Sequence, residues 1–491
     1  AEAERKGSTG SSDSSHSGYM SDGRGERAFS GGTEDALATL LGRAEANLAT
    51  SLVAQLLLLD EWASFDIFRV ARLAQRGPLV VVGMAIFERH GAFQVLQVPV
   101  AETEEFLVAL QAKYLDNPYH NAIHAADVGQ TMSHFFARCG LDKYASEHLR
   151  FASLFAALAH DAAHPGVTNA FLVQTWHPLA IRYNDRSPLE MMHASLAFEL
   201  IRHEPGCNLL RNFTDDGRVA FRKTVVSMIL ATDNAEHDLL LGRLDKVNQV
   251  LGSSSGNHSI MVSDLEQLCI LETALHAADI SSSGKPWHIY QQWTERLCVE
   301  FRSQGDLEKE RGLAVLPFMD RTIELPISHF QAGFIEAIVF PLYERLDQVV
   351  DLDLSHVLHN IKSNLASWKE TERRAQPETW RGANGSPALP PRIKAVVRRA
   401  AKTFLATRDP SDHCSEPGDR TAWEERDPSP ASDPARRRAT SLEMPLPQAP
   451  HVGSVGSALE EDWSQSVLDP NAAVHAPFGL PQRYHRFRCE S

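Results

Sequence analysis

Three short stretches of the chain place imidazoles and carboxylates where they could grip metal ions. The first, NPYHNAIHAADV from Asn117 to Val128, sets His120, His124 and Asp127 at positions i, i+4 and i+7, so a helix through them would present all three from one face. Two imidazoles and a carboxylate on one face suit a metal edge, although an isolated pair of histidines four apart is more often an ordinary hydrogen-bonded or exposed pair. The second stretch, FASLFAALAHDAAHPG from Phe151 to Gly166, delivers His160, Asp161 and His164 at the end of a nearly continuous apolar run. Burying such groups costs heavily unless a cation compensates them. Adjacent His160 and Asp161 can hold one ion while the free carboxylate oxygen reaches a second, as in closely spaced two-metal pairs. Pro165-Gly166 then ends the helix. The third stretch, ETALHAADIS from Glu272 to Ser281, ends another apolar run on Asp279. Together His124, His160, Asp161 and Asp279 make a nitrogen and oxygen set of the kind that takes Zn2+, with positions left for water. A second ion, touching chiefly Asp161 and waters, is expected to be Mg2+ or Mn2+, hard cations that keep their hydration.

Those side chains need a frame, and the frame reads as helical. The chain has 491 residues, 43% hydrophobic and 23% charged, the balance of an ordinary globular protein with room for a large core. From Trp62 to about Glu370 apolar clusters recur at helical spacing between short polar breaks, and strand-like alternation is nearly missing. That pattern predicts an all-α, compact multi-helix domain. Residues 1–32 are rich in Ser, Gly and charge and read as a disordered tail. Residues 33–60 hold a helix over Asp35 to Asp60, with Leu37, Leu40, Leu41, Leu48, Leu52 and Leu56 on one side. Residues 61–375 form the main domain. Residues 376–491, dense in Pro, Ser and Arg, are expected to be mostly disordered. One basic amphipathic helix is expected there, Arg392 to Leu405, as a final packed helix or as a membrane or partner site.

A net charge of -15 argues against a nucleic-acid polymer as partner, since gripping a phosphate backbone needs a positive face. A small anionic substrate would take its counter-charge from the metals instead. The six cysteines, at 139, 207, 269, 298, 414 and 489, form no CxxC pair and read as reduced thiols of a cytoplasmic protein. The longest apolar runs, Leu79 to Phe87 and Phe151 to Ala159, fall short of the roughly 20 residues that span a bilayer. The opening residues lack the apolar core of a secretory signal.

At this point the chain resembles a known family, the class I 3′,5′-cyclic nucleotide phosphodiesterases. The resemblance runs from about Trp62 to Glu370 through ordered motifs: SFDIF at 64–68, YHNAIHAADV at 119–128, HDAAHPG at 160–166 and YNDRSPLE at 183–190. It continues with ILATD at 229–233, AADIS at 277–281, FRSQGDLEKERG at 301–312 and FQAGFI at 330–335. It implies that residues 61–375 are the catalytic domain and that a hydroxide activated by two metals opens the cyclic phosphodiester to the 5′-monophosphate. His120 would be the general acid protonating the leaving ribose oxygen, and His124, His160, Asp161 and Asp279 the metal ligands. His164 and Glu190 would orient the metal-bound water and its neighbours. For the base, Gln331 would hydrogen-bond the purine, Phe334 and Leu297 would sandwich it, and Tyr119 would line the same cavity. Either face of the Gln331 amide can point outward, so that residue does not choose between adenine and guanine.

The chain departs from the family's pattern at Ala163, where an acid is usual, and at Met191 and Met192, where Asn and His are usual. Asn234 stands where Met is common, and Ser282 replaces an Asn that often contacts the base in cAMP-preferring members. The stretch from Ser195 to Asn212 resembles the type-8 cAMP-preferring group, and with the type-4 group this tips the expected substrate towards cAMP, with cGMP the alternative. Other readings are a phosphohydrolase of the wider His-Asp group acting on nucleoside triphosphates, and a catalytically silent sensor. RRRATS, Arg436 to Ser441, offers Thr440 or Ser441 to a basic-directed kinase, and a homodimer is compatible with the sequence.

Overall fold

The computed structural model describes residues 46–253, 262–323 and 326–375. Among these every regular element is helical. The expected tails at 1–32 and 376–491, the amphipathic helix at Arg392 to Leu405 and the kinase motif at 436–441 lie outside the described residues.

The chain opens with α1 (Ala46–Leu56), α2 (Ile67–Leu73), α3 (Pro78–Arg89) and α4 (Val100–Lys113). The described part of the Asp35–Asp60 stretch is helical only to Leu56 and then turns tightly, with Leu58 and Leu59 bonding back three residues instead of four. The reason lies in the next layer. The Leu59 carbonyl accepts from Gln130 Nε2 at 2.6 Å and the Asp60 carbonyl faces His134 Nδ1 at 2.9 Å, while the Asp60 carboxylate takes Arg89 Nε at 2.8 Å. Helix α3 explains its own apolar run: all nine residues from Leu79 to Phe87 are buried, so it is a central strut without a polar face. Its entry turns on Gly77 at φ +96, where a Cβ would collide with the Gln111 side chain. The Gln111 amide in turn caps the start of α3, accepting from Leu79 N at 3.1 Å.

Helices α5 (Ala122–Arg138) and α6 (Glu147–Ala159) follow, then the short α7 (Asn169–Gln174) and α8 (Pro178–Tyr183), and the longer α9 (Pro188–His203) and α10 (Asp215–Leu230). Helix α6 packs between α5 and α10, and α5 lies on α3, so the two helices that lead to His124 and His160 are sunk in the core. Next come α11 (His237–Ser253), α12 (Asp264–Asp279) and α13 (Trp287–Glu310). Helix α12 starts on a reciprocal Ser263 and Glu266 cap. The last group is α14 (Ile327–Phe334), a π-turn at Ile335–Val339, α15 (Phe340–Asp347) and α16 (Ser355–Ala375). Pro341 explains the π-turn: it has no N–H for an α-type bond to Ala337, so the chain widens and Phe340 N–H reaches Ile335 O.

Two buried tyrosines fix the helix ends on which the chemistry sits. Tyr114 donates to Leu158 O at 2.9 Å, in the last turn of α6, and Tyr343 donates to Ala277 O at 2.7 Å, in the last turn of α12. The loop after Asp279 is tied down by α16, where Asn364 Nδ2 donates to the carbonyls of Ser283 at 2.8 Å and Lys285 at 2.9 Å. No single helix among the described residues is long and apolar enough to cross a membrane.

Candidate active site

Four side chains from three separate stretches meet at one end of the helix bundle. His124 comes from the first turn of α5, His160 caps the end of α6 with Asp161 next to it, and Asp279 ends α12. One donor atom from each lies within 4.8 Å of all the others. Asp279 Oδ1 is 2.9 Å from His124 Nε2 and 3.2 Å from His160 Nε2, and Asp161 Oδ2 is 3.4 Å and 3.1 Å from the same two nitrogens.

Whether these groups suit a cation can be read from His160. Its Nδ1 faces the Ala157 carbonyl at 2.9 Å, an acceptor only, so Nδ1 carries the hydrogen and neutral His160 turns the Nε2 lone pair to two carboxylate oxygens. Lone pair against two anions is repulsive unless a positive charge sits among them. Burial works to lower the His160 pKa, but the Asp161 and Asp279 carboxylates outweigh it and raise it well above the ordinary value. Asp279 is conversely lowered, burial being overcome by His160. The charge that a proton supplies here is the charge a metal ion would supply, and the backbone anchor on Nδ1 is the usual orientation of a ligating imidazole. The donors fit a metal.

Asp161 also faces outward from this group. His193 donates Nδ1–H to Ala162 O at 2.6 Å, and its Nε2, buried and without a hydrogen bond, stands 3.6 Å from Asp161 Oδ1. Asp161, His164 and His193 thus form a second cluster of possible donors around the free carboxylate oxygen. Between Asp161 and His164 the backbone of Ala163 takes φ +63, a left-handed turn that a residue with a Cβ adopts at some cost.

His120 is not on the helix with His124, contrary to the sequence expectation. Asn121 caps α5, its side chain accepting from Ile123 N and His124 N, so His120 lies in the turn before it. That turn is held from α13: Glu300 Oε2 accepts from Tyr119 N at 2.9 Å and His120 N at 3.1 Å, and Oε1 pairs with His120 Nδ1. Burial alone would lower His120, but the Glu300 carboxylate raises it to about 9, while His120 overcomes the burial of Glu300 and lowers that carboxyl to about 2. The His164 ring stacks on His120 with centroids 3.9 Å apart. Burial and the charge on His120 push His164 well below the ordinary imidazole value, so a neutral ring lies flat on a charged one. Asn117 ties both, donating to His120 O at 2.9 Å and His164 O at 2.7 Å.

Asp127, expected on the same face as the histidines, has another task. It accepts from Lys285 Nζ and Trp293 Nε1, each at 3.0 Å, and Lys285 also donates to Gln130 Oε1 at 2.7 Å. All four side chains are buried, which makes this a structural network under the site and leaves Asp127 outside the metal cluster.

The cluster opens into a cavity of about 310 Å³ lined by Tyr119, Leu297, Gln331 and Phe334 among others. Tyr290 donates its hydroxyl to Gln331 Oε1 at 2.7 Å. That fixes the amide so that its N–H groups are left for a ligand. Phe334 lies parallel to Phe330, with centroids 6.3 Å apart. Glu190 borders the cavity too; it accepts from Asn169 Nδ2 at 2.9 Å, and burial with the neighbouring Asp233 raises its carboxyl well above the usual range. Ser282 lines the cavity beside Tyr119.

Sequence reasoning therefore named residues that the structure brings together, and it missed Glu300, His193, Asn117 and the Lys285 network. The available signal for Glu300 was an acid within an apolar run, CVEF at 298–301.

The fold and cavity are those of an all-helical phosphohydrolase-type domain with a His/Asp cluster able to hold metal. Comparison with known proteins is more specific: a family model described as 3′5′-cyclic nucleotide phosphodiesterase matches residues 119–361. A solved structure, the phosphodiesterase domain of the RhoPDE fusion protein from the choanoflagellate Salpingoeca rosetta, is 32% identical with a TM-score of 0.56, covering 60% of this chain and 92% of that one. The chain belongs to the class I cyclic nucleotide phosphodiesterase family, as its catalytic domain. Among curated proteins, the probable 3′,5′-cyclic-AMP phosphodiesterase pde-4 of Caenorhabditis elegans is 34% identical over 68% of this chain and 49% of its own length. The mouse 3′,5′-cyclic-AMP phosphodiesterase 4C is 33% identical over 66% of this chain and 47% of its own. The chain spans about half the length of these relatives.

Proposed function

We propose that residues 61–375 hydrolyse the 3′,5′-cyclic phosphodiester of a purine nucleotide, cAMP ahead of cGMP, to the 5′-monophosphate. The observation that carries this reading is the His120–Glu300 pair, a charged proton donor held beside the His124, His160, Asp161 and Asp279 cluster at the mouth of a cavity with an amide and an aromatic ring. The curated relatives, named as cyclic-AMP phosphodiesterases, support the choice of cAMP.

In this reading His124, His160, Asp161 and Asp279 would hold Zn2+, and Asp161 would also serve a second ion, Mg2+ or Mn2+. Such a pair supplies Lewis acidity towards phosphoryl oxygens and a nucleophilic water near neutral pH. The protein's own residues do the rest. His120 donates its Nε2 proton to the departing 3′ oxygen, while Glu300 keeps the Nδ1 proton and so holds the ring charged and aimed. His164 stacks behind His120 and restricts its rotation, and Glu190 lines the wall facing Asp161. Gln331 donates from its amide to an acceptor on the purine edge, with Phe334 and Leu297 closing on the ring faces and Tyr119 on its side. A cytoplasmic location, a homodimer and a kinase acting at Thr440 or Ser441 belong to the same proposal.

The test is turnover by the purified full chain with added Mg2+, measured as kcat/KM for cAMP and cGMP beside a panel of nucleoside triphosphates. Cyclic nucleotide hydrolysis with cAMP preferred supports the reading. Turnover of triphosphates alone, or of nothing, refutes it.

A further inference from the structure

The far end of α5 carries a second convergence of metal-binding side chains. His134 Nε2 lies 2.7 Å from His356 Nε2, and Cys139 Sγ joins them, one donor atom of each falling within 4.8 Å of the other two. His134 and Cys139 are buried and His356, in the first turn of α16, is partly buried. His134 stands some ten residues beyond His124 on α5, about 15 Å along the axis at the α-helical rise, so this is a separate place from the cavity.

Its surroundings are already arranged for a ligand. His134 Nδ1 faces the Asp60 carbonyl, which only accepts, so Nδ1 bears the hydrogen and Nε2 presents its lone pair to His356. Ligating imidazoles are commonly anchored this way. Trp62 walls both rings, tilted at 5.0 Å from His134 and edge-on at 6.0 Å from His356. The Cys139 carbonyl accepts from Asp353 N at 3.0 Å, so the two helix ends that carry the donors are tied beside them.

We propose that His134, Cys139 and His356 form a third metal site, for a single borderline-soft divalent cation of the zinc type, with water completing the tetrahedron. Without the ion, His356 donates its Nε2–H to His134 Nε2. Binding replaces that bond, moves the His356 proton to its other nitrogen, and releases the thiol proton of Cys139 to solvent. The ion then clips the start of α16 to the end of α5, and α16 packs on α14, the helix that carries Gln331.

The test is a titration of the full chain with Co2+, chosen because thiolate ligation gives a strong near-ultraviolet sulfur-to-cobalt absorption. The catalytic cluster contains no sulfur donor, so the signal does not arise there and does not depend on turnover, and its loss in Cys139→Ser separates this site from the chain's five other cysteines. The expected result is one thiolate-cobalt site per chain, abolished by Cys139→Ser, weakened about tenfold or more in Co2+ affinity by His356→Ala, and retained in Asp279→Asn. Since Cys139 is buried, His356→Ala serves as the variant that preserves the fold, checked by its circular dichroism. A parental chain with no such absorption at saturating Co2+, or an absorption unchanged in Cys139→Ser or His356→Ala, or lost in Asp279→Asn, would overturn the assignment.

Discussion

Glu300 holds His120 with both carboxylate oxygens, one on the ring Nδ1 and the other on the backbone N–H groups of Tyr119 and His120. Position and charge of the imidazole are thereby set by one residue from the opposite helix. With His120 raised to about 9 and Glu300 lowered to about 2, the ring stays a proton donor through the physiological range. Glu300→Gln keeps the hydrogen-bonding shape and removes the charge, so that burial, opposed now only by the Asp161 and Asp279 carboxylates, lowers the His120 pKa from its present value. The basic limb of the kcat/KM profile then moves down from about pH 9 towards neutrality, and activity at pH 8 falls by about 10–100-fold with partial recovery in acid. An unshifted limb would mean that His120 is not the group titrating there.

The same pair has a stability signature. A raised imidazole contributes fully below its ordinary value of 6.5 and loses its contribution as pH rises through about 9. A lowered carboxyl contributes fully above its ordinary 4.5 and loses its contribution as pH falls through about 2. The pair therefore stabilises most between pH 4.5 and 6.5, and Glu300→Gln flattens thermal stability on both sides of that window.

Loss of a proton donor and loss of a ligand are separable. His120→Ala should leave the fold and bound zinc as they are and cost about 10²–10⁴ in kcat. Asp279→Asn weakens a group that faces both His124 and His160, so bound zinc and activity fall together. Metal content by plasma mass spectrometry, measured beside kcat, distinguishes the two. Full zinc in active Asp279→Asn protein would remove Asp279 from the ligand set.

Tyr290 decides which side of the Gln331 amide meets the ligand. Tyr290→Phe removes that donor, frees the amide to turn over, and costs about 1 kcal/mol of stability for the lost buried hydrogen bond. KM for cAMP should rise several-fold and the cAMP to cGMP ratio of kcat/KM should narrow, with kcat little changed. A preserved ratio would show that Gln331 is oriented by something else.

How legible these features were depended on how local they are. The all-α class follows from apolar residues at helical spacing, and the His160-Asp161 and Asp279 positions stand out because each ends an apolar run with a group that is costly to bury. His120 was misplaced onto α5 by spacing alone, although Asn121, a strong N-cap residue, marked the true start. Glu300 was missed because its partner is 180 residues away and nothing beside it in sequence names that partner. The end of α1 was set too late for a similar reason: the carbonyls of Leu59 and Asp60 are turned to Gln130 and His134, which local propensity cannot anticipate.

Asp127 shows the same limit, and its true role gives the sharpest stability test. Its carboxylate is buried with Lys285 and Trp293 on its two oxygens, and burial lowers the Lys285 pKa although Asp127 opposes this. Removing one partner of such a pair leaves an unpaired charge in a medium that solvates it poorly. Lys285→Met should therefore destabilise the domain by about 3–5 kcal/mol, read by urea unfolding of the full chain. Replacing both partners, Asp127→Asn with Lys285→Met, removes the stranded charge and should recover much of that loss, since the neutral amide that replaces the carboxylate can still accept from Trp293 Nε1. If the double variant is as unstable as the single one, packing of the Lys285 stem against Trp62, whose ring lies 4.4 Å from Nζ, matters more than the charge.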